Sequence, residues 1–173
     1  MNKSEALKLL KELDAPERLI THVLLVGEAA KKLLQALESL HVELDRNLVE
    51  VGVILHDVGK IIYPQELHQK GSYHEAAGQR ILVEQGIEER IARVCVSHSQ
   101  WQNESSFEES LIALADKLWK GKRVRELEEK VIKAAAKKID AEYWDVFIRL
   151  DACFEEIANL GEERLSRSIV SDI

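Results

Sequence analysis

The longest periodic segment of the chain begins at Pro16 and runs to about Ser39. Its apolar residues recur every three or four positions, which places them along one face of a helix. Along this stripe lie Leu19, His22, Val26, Ala29, Leu33 and Leu37. A helix with so long an apolar stripe is stable only when other elements cover it, so the chain is predicted to be a bundle of helices.

The other segments show the same helical spacing, and none shows the alternating pattern of a half-buried strand. Glycine and proline, the residues that most often interrupt helices, number only 8 and 2. The fold class is therefore predicted to be all-α. Besides the long helix, we predict helices at 4–12, 46–58, 72–86, 88–99, 105–121, 122–139 and 141–160, a loop at 60–71 and a loosely held end after 160.

Polar residues and glycines mark the predicted helix ends. Ser72 is followed three residues later by Glu75, which is the spacing of a capping box. The candidate starts are Asp14, Ser72, Ser105 or Ser106, and Asp140, and the candidate ends are Gly59, Gly86, Gly121 and Gly161.

The length of 173 residues is that of one ordinary globular domain. No internal repeat, low-complexity tract or proline-rich linker divides the sequence. We therefore predict a single domain over 1–173, in which about 15–121 form the core and the helices of 122–160 act as scaffold.

The charge and hydropathy of the chain exclude several classes of partner. The formal net charge of −7 makes broad electrostatic binding to nucleic acid or to an anionic membrane unfavourable. No apolar run approaches the ~20 residues that span a bilayer, and the charged N-terminal stretch does not resemble a signal peptide. Cys95 and Cys153 fall in helical apolar patterns, as expected of buried free thiols. We predict a cytoplasmic protein that acts on a small molecule.

Several ionisable residues occupy apolar helix faces. His22 lies on the long apolar stripe, and His56 continues the apolar face of the 46–58 helix. His98 and Asp116 fall on apolar faces of later helices, and His74 stands in the first turn of its helix. Burial of an unpartnered polar group costs about 1–3 kcal/mol. A shared divalent cation would satisfy the whole set, because neutral imidazole and carboxylate are suitable metal ligands.

Each of these residues has a simpler interpretation when it is taken alone. A single histidine on an apolar face, such as His98, is more often a hydrogen-bonded core residue than a metal ligand. Asp116 could pair with Lys117 or Arg123. The metal interpretation therefore depends on the whole set and on the local sequence HDVGK at 56–60.

The chain carries, in order, His22, the HDVGK segment at 56–60, His74, His98 and Asp116. This ordered set resembles the HD-domain superfamily, and more narrowly its members that bind two metal ions. The resemblance covers about residues 20–120, and its most specific parts are HDVGK and the ALADKL segment at 113–118. It implies an all-α bundle of the HD-domain type and a metal-dependent phosphohydrolase.

The resemblance also implies roles for individual residues. The first of two divalent ions would be bound by His22, His56, Asp57 and Asp116, and Asp57 would bridge to a second ion completed by His74 and His98. A hydroxide between the ions would attack phosphorus while the ions neutralise the phosphoryl oxygens. Lys60 is expected to contact the substrate and to assist Asp57 in catalysis, and Lys117 is expected to contact the substrate. Fe, Mn, Co, Ni, Zn and Mg are all conceivable metals.

Two features separate this sequence from known branches of the superfamily. Ser99 follows His98, where the cyclic-dinucleotide phosphodiesterases have a second histidine, and their Gly-Tyr-Pro signature is missing. The single-metal nucleotidases lack the two middle histidines, which are present here as His74 and His98. A looser resemblance to the branch that includes symmetric dinucleoside tetraphosphate hydrolases does not define the substrate.

The leading hypothesis is hydrolysis of a phosphate ester or anhydride in a nucleotide-like metabolite. One alternative is a di-iron oxygenase of the HD type, because the same ligand set serves both chemistries. Another is a non-catalytic nucleotide-binding module, although the intact ligand set argues against it. The amphipathic C-terminal helices would also allow a homodimer.

The residues around the expected site have simpler roles. The loop at 61–73 is expected to line the entrance, with His68 as a loop residue rather than a ligand. The basic run from Lys117 to Arg125 is better explained as a solvated face balanced by nearby glutamates than as a phosphate site. Three aromatic residues, Trp119, Trp144 and Phe147, are expected in the core.

Overall fold

The computed structural model describes residues 1–169. Within that range the chain forms ten α-helices and two short 3-10 helices and contains no strand, which confirms the predicted all-α class. The α-helices are α1 (Lys3–Glu12), α2 (Glu17–Ser39), α3 (Arg46–Leu55), α4 (Tyr73–Glu84), α5 (Glu89–Ala92), α6 (Val94–Ser97), α7 (Phe107–Leu118), α8 (Arg125–Lys138), α9 (Tyr143–Asn159) and α10 (Gly161–Ser168). The two 3-10 helices, Val58–Ile61 and Pro64–Leu67, lie between α3 and α4.

The core consists of two clusters of buried apolar residues, and α2 contributes to both. Its first turns, with Leu19 and Val23, pack with α1, α3, α4 and the end of α5. From Val26 onward, α2 packs against α7, α8 and α9. His22 therefore lies on α2 where the two clusters meet. None of the helices within residues 1–169 is long and apolar enough to cross a membrane.

Two aspartates that were predicted to begin helices instead end them. Asp14 and Asp140 have φ angles of 56° and 51°, in the left-handed region. The amide of Asp14 donates to Lys11 O and that of Ala15 donates to Leu10 O, which satisfies the last carbonyls of α1. The prediction was wrong because aspartate suits both positions, an N-cap and a left-handed residue after a helix.

The Ser72–Glu75 capping box is also absent from the described residues. Ser72 precedes α4, but its side chain makes no capping hydrogen bond. The carboxylate of Glu66, in the second 3-10 helix, instead accepts from the amides of Tyr73 and His74, at 3.2 and 3.1 Å. The first turn of α4 is therefore capped by a neighbouring element. A capping box does form at the start of α7, between Ser106 and Glu109.

Three predicted segments differ in their limits. The 46–58 helix ends at Leu55 and continues as the first 3-10 helix, which contains Gly59. The 88–99 helix is interrupted at Arg93. Much of the supposedly loose end after 160 is helical, because Gly161 begins α10 instead of closing α9. The last four residues of that predicted loose end lie outside the described range.

Two aromatic predictions in the C-terminal half have opposite outcomes. Trp119 is buried in the main core cluster, as predicted. Trp144 is 67% exposed on α9, so the prediction that it lies in the core was wrong. Its neighbours Val146 and Leu150 provide the buried face of that helix, because they lie on its opposite side.

Candidate metal centre

Five segments bring the six candidate residues to one place. His22 lies in the second turn of α2, and Asp116 lies in the last turn of α7. His56 and Asp57 occupy the junction between α3 and the first 3-10 helix. The other two, His74 and His98, lie in the first turn of α4 and directly after α6.

Asp57 lies at the centre, with its two carboxylate oxygens facing different histidines. Asp57 Oδ2 lies 3.0 Å from His22 Nε2 and 3.5 Å from His56 Nε2. Asp57 Oδ1 lies 3.1 Å from His74 Nε2 and 3.7 Å from His98 Nε2. One carboxylate therefore joins two groups of ligand atoms, each compact enough to hold a metal ion.

Asp116 belongs to the group around Asp57 Oδ2. Its Oδ1 lies 3.9 Å from His22 Nε2 and 3.7 Å from His56 Nε2. We call His22, His56 and Asp116, together with Asp57 Oδ2, the first half-site. The second half-site comprises Asp57 Oδ1 and the imidazoles of His74 and His98.

Four potential metal-ligand atoms of this cluster are buried and lack hydrogen bonds. Within residues 1–169, His22 Nε2, His56 Nε2, His74 Nε2 and Asp57 Oδ1 have no hydrogen-bond partner. Such buried atoms are costly to leave unpaired. Imidazole nitrogens and carboxylate oxygens are ligands for divalent first-row metals, so the residues present fit a pair of such ions.

The other ring nitrogen of three histidines is held by the protein. His56 Nδ1 lies 2.8 Å from Val53 O, and His98 Nδ1 lies 3.1 Å from Val94 O. A carbonyl only accepts, so each imidazole carries its proton on Nδ1 and directs the Nε2 lone pair towards Asp57. This is the tautomer that a metal ligand needs.

His74 is oriented differently, by the carboxylate of Glu66. His74 Nδ1 lies 2.5 Å from Glu66 Oε2, and the same oxygen accepts from the His74 amide. Glu66 is buried, with 7% of its surface exposed. A carboxylate behind a metal-binding imidazole fixes the ring and raises its basicity.

Sequence reasoning missed Glu66. A weak signal was nearby: Gly71 leaves room for this side chain, since a Cβ there would lie 2.2 Å from Glu66 Oε1. Glu75, which the sequence assigned to a capping box, is buried and accepts a hydrogen bond from Gln100 Nε2 at 3.1 Å.

Two glycines allow the first 3-10 helix to pack directly on α4. A Cβ on Gly59 would lie 1.9 Å from His74 O and 2.6 Å from Gly78 N. The role of Gly59 is therefore close approach, which brings Asp57 and His74 together, rather than the helix stop that the sequence suggested.

Burial and charge shift the pKa values of the cluster. Burial alone would raise the pKa of Asp57 and Asp116, but nearby histidines and lysines outweigh it and hold both pKa values well below the usual range. Burial lowers the pKa of His22, and it lowers that of His98 to about 4. Burial alone would lower the pKa of His74, but the neighbouring carboxylates of Asp57 and Glu66 outweigh it and raise that pKa. The carboxylates are therefore ionised at neutral pH, as metal ligands require.

Lysines contact both carboxylates of the cluster. Lys60 Nζ lies 2.6 Å from Asp57 Oδ2, and Lys117 Nζ lies 2.7 Å from Asp116 Oδ2. Lys120 Nζ is 3.9 Å from the same Asp116 oxygen. The two lysines singled out from the sequence therefore lie directly beside the candidate ligands.

The two arginines at the end of the basic run form ion pairs. Arg123 binds Glu128 and Asp151, and Arg125 pairs with Glu129. These contacts agree with the interpretation of that run as a charge-balanced helix face. His68 is exposed, as expected of a loop residue.

Comparison with known proteins identifies the family. The chain matches the HD domain family over residues 19–135. It is 35% identical over 98 residues to an uncharacterized protein of Methanocaldococcus jannaschii, covering 57% of this chain and 54% of the relative. It is 25% identical over 175 residues to a tRNA (cytidine(56)-2'-O)-methyltransferase of Picrophilus torridus, covering 92% of this chain and 47% of the relative.

The chain thus spans about half the length of the curated relatives it matches. No solved structure matches it. The family match extends beyond the predicted core boundary at 121 into α8, and the division of the chain into core and scaffold stays a prediction. Because the match covers more than half of the residues and includes all six clustered side chains, the chain belongs to the HD domain family.

Proposed function

We propose that this protein is a metal-dependent phosphohydrolase that cleaves a phosphate ester or anhydride of a small, nucleotide-like metabolite. Membership of the HD domain family suggests a metal-dependent hydrolase. The observation that carries the finer proposal is the position of Asp57, whose two oxygens face separate pairs of imidazoles. This arrangement favours two divalent ions bridged by one carboxylate over a single ion.

The proposed ligands are the six clustered residues. His22, His56, Asp57 and Asp116 would hold the first ion, and Asp57, His74 and His98 the second. Two bound divalent ions supply Lewis-acid stabilisation of phosphoryl oxygens and lower the pKa of a water molecule that attacks phosphorus.

The protein's own residues orient the ligands and the substrate. Val53 O, Val94 O and Glu66 fix three imidazoles with their Nε2 atoms towards Asp57. Lys60 and Lys117 are within ion-pairing distance of the carboxylates, where their ammonium groups can also contact phosphoryl oxygens. The Lys60 ammonium group lies beside the Asp57 carboxylate and is proposed to stabilise the negative charge that develops on the leaving group.

The methyltransferase activity named for the Picrophilus torridus relative is not extended to this chain. The match covers only 47% of that protein, and the clustered residues are metal-ligand types. A net charge of −7 also makes an extended tRNA-binding surface unfavourable.

The test is the metal content of anaerobically purified protein, followed by a panel of phosphoesters assayed with the bound metal restored. We expect about two ions per chain and phosphate release from at least one small phosphorylated compound. His56→Ala should lose metal from the first half-site, whereas His68→Ala, a change at an exposed histidine, should retain it.

Three outcomes would overturn the proposal. No metal under any loading condition would exclude the dinuclear site. A mixed-valence di-iron spectrum with consumption of O2 and no phosphate release would identify the oxygenase alternative instead. If protein with both ions were as inactive as Asp57→Ala over a broad nucleotide panel, the non-catalytic binding module would be favoured.

A further inference from the structure

A cavity of about 250 Å³ opens directly beside His22 of the first half-site. Three cationic residues line it: Arg18 from α2, Lys60 from the first 3-10 helix and Lys120 from the segment after α7. No aspartate or glutamate among residues 1–169 is part of its lining. Lys60 Nζ lies 2.6 Å from Asp57 Oδ2 and Lys120 Nζ lies 3.9 Å from Asp116 Oδ2, so the positive charge that stays unbalanced in this cavity is that of Arg18.

This charge distinguishes the cavity from a larger one elsewhere on the molecule. A cavity of about 720 Å³ near α5 is lined by arginines and by several acidic residues, among them Asp45, Glu88 and Glu109. There Arg90 pairs with Asp45 and Glu88, so its charge is already neutralised. Arg18, by contrast, forms no ion pair within the described part of the chain. An unpaired guanidinium next to a candidate metal site favours an anionic ligand.

Helix α10 closes one side of this cavity. Leu165 and Ser168, three residues apart on one face of α10, both line it. Arg167 holds the helix to α2 through two hydrogen bonds to Glu28, at 2.8 and 2.7 Å. Glu28 and the cavity residue Arg18 are on the same helix, so α10 is fixed to the element that carries the site.

A buried arginine and two glycines fix the start of α10. Arg164 is 2% exposed and donates through Nη1 to Ile157 O at 2.7 Å. The same atom lies 3.4 Å from the carbonyl oxygen of Trp119, whose ring meets His22 edge-on at 5.0 Å. A Cβ on Gly161 would lie 2.3 Å from the amide nitrogen of Gly121, so the two backbones touch. Helix α10 is therefore a rigid wall of the cavity.

The size of the cavity limits the ligand. Pockets that enclose drug-sized molecules typically have ~300–1,000 Å³, and this one is smaller. Trp119 and Leu67 supply apolar surface next to the three cations. The cavity thus offers a compact anion site with limited room for an organic group.

We propose that this cavity binds a small phosphomonoester, with the phosphate held by Arg18, Lys60 and Lys120 and the organic group limited by α10. The inference rests on the proposed phosphohydrolase function and narrows its substrate class to single phosphate esters. Helix α10 is then a specificity element rather than part of an inert scaffold.

The first test measures binding of inorganic phosphate to the metal-loaded protein by calorimetry. Arg18→Ala should weaken phosphate binding about tenfold or more, the effect of losing one charge-assisted contact. Lys31→Ala is the matched control, because it removes an exposed cation from the same helix about 20 Å away. Metal content should be unchanged in both variants.

The second test fills the cavity from α10. Leu165 is 40% exposed, so Leu165→Trp should fold, and we expect it to raise the Kd for 5'-AMP at least tenfold while binding of inorganic phosphate stays within about twofold. Ser166→Trp, at the adjacent exposed position, should leave both values unchanged.

Measurement of phosphate binding distinguishes the cavity proposal from the phosphohydrolase proposal. If no phosphoester is hydrolysed but phosphate binding depends on Arg18, the cavity is supported although the enzyme proposal fails. Equal phosphate affinities of Arg18→Ala and the wild-type protein would overturn the cavity proposal. It would likewise be overturned if a dinucleoside tetraphosphate bound more tightly than 5'-AMP and Leu165→Trp changed neither affinity.

Discussion

The two half-sites share Asp57 but are built from different kinds of structure. In the first, His22 lies in the second turn of α2 and Asp116 in the last turn of α7, helices of 23 and 12 residues that both pack in the main core. In the second, His74 lies in the first turn of α4, and His98 follows the four-residue helix α6. The first half-site is held by the core, whereas the second is held by particular local contacts.

The contacts at the Nδ1 atoms of the imidazoles show the same difference between the half-sites. His56 Nδ1 is held by a backbone carbonyl of its own helix, a contact that helix formation supplies. His74 Nδ1 is held by Glu66, a side chain from a separate 3-10 helix. The second half-site therefore depends on more individual side chains. Substitution of these side chains should weaken metal binding in the second half-site and not in the first.

The largest expected effect is at Asp57, which joins the halves. Asp57→Asn should reduce hydrolysis by at least about a thousandfold, the scale seen when an essential active-site group is removed. It should also reduce metal content in both half-sites. Elemental analysis and phosphate release measure the two effects, and Asp145→Asn, at an exposed position on α9, is the control. Retention of both ions would show that Asp57 is not the shared ligand.

A pH titration of metal-free protein probes the burial of His98. Its pKa is near 6.5 when unfolded and about 4 when folded, so the unfolded state binds more protons between these values. The contribution to stability is complete above pH 6.5 and is lost as pH falls to 4, by up to about 3 kcal/mol. Chemical denaturation of wild type and His98→Asn measures it.

Only the difference between the two proteins isolates His98, because His22 and His74 also have shifted pKa values. The free energy of unfolding of the wild type should fall more steeply below pH 6.5 than that of the variant. Parallel pH profiles would contradict the prediction.

A smaller effect, on stability, is expected at Gly59, where the first 3-10 helix packs against α4. Gly59→Ala places a Cβ against the backbone of His74 and should lower the free energy of unfolding by about 1–3 kcal/mol. In α2, Gly27→Ala meets only ordinary contacts and should stabilise the protein by about 0.5–1 kcal/mol. Thermal unfolding measures both changes, and equal shifts in Tm would contradict the predicted difference between the two glycine variants.

The smallest expected effect is at Glu66. Glu66→Gln keeps an acceptor oxygen but loses the charge, so affinity for the ion in the second half-site should fall about tenfold. Calorimetric metal titration should show one weakened and one unchanged site. Glu84→Gln, an exposed change on α4, should leave both sites unchanged. A uniform loss at both sites would mean that Glu66 does not act on His74 alone.

The sequence alone determined the helical class and the residues that face inward. Apolar periodicity is a local property, and it placed His22 and Asp116 on the buried faces of α2 and α7. The start of α7 was predicted at Ser105 or Ser106, and the structure has a capping box between Ser106 and Glu109, whose partners lie within one helical turn. The HDVGK segment and the order of the histidines predicted the family.

The tertiary structure decided which side chain supports each ligand and what encloses the site. Glu66 reaches His74 only after the second 3-10 helix packs against the start of α4. The position of α10 depends on contacts of Arg164 with Trp119 O and of Arg167 with Glu28, which are far away in the chain. The role of Asp14 was ambiguous because aspartate stabilises both helix ends, and only packing selects one. Contacts between distant segments depend on the arrangement of the whole core, which no local pattern encodes.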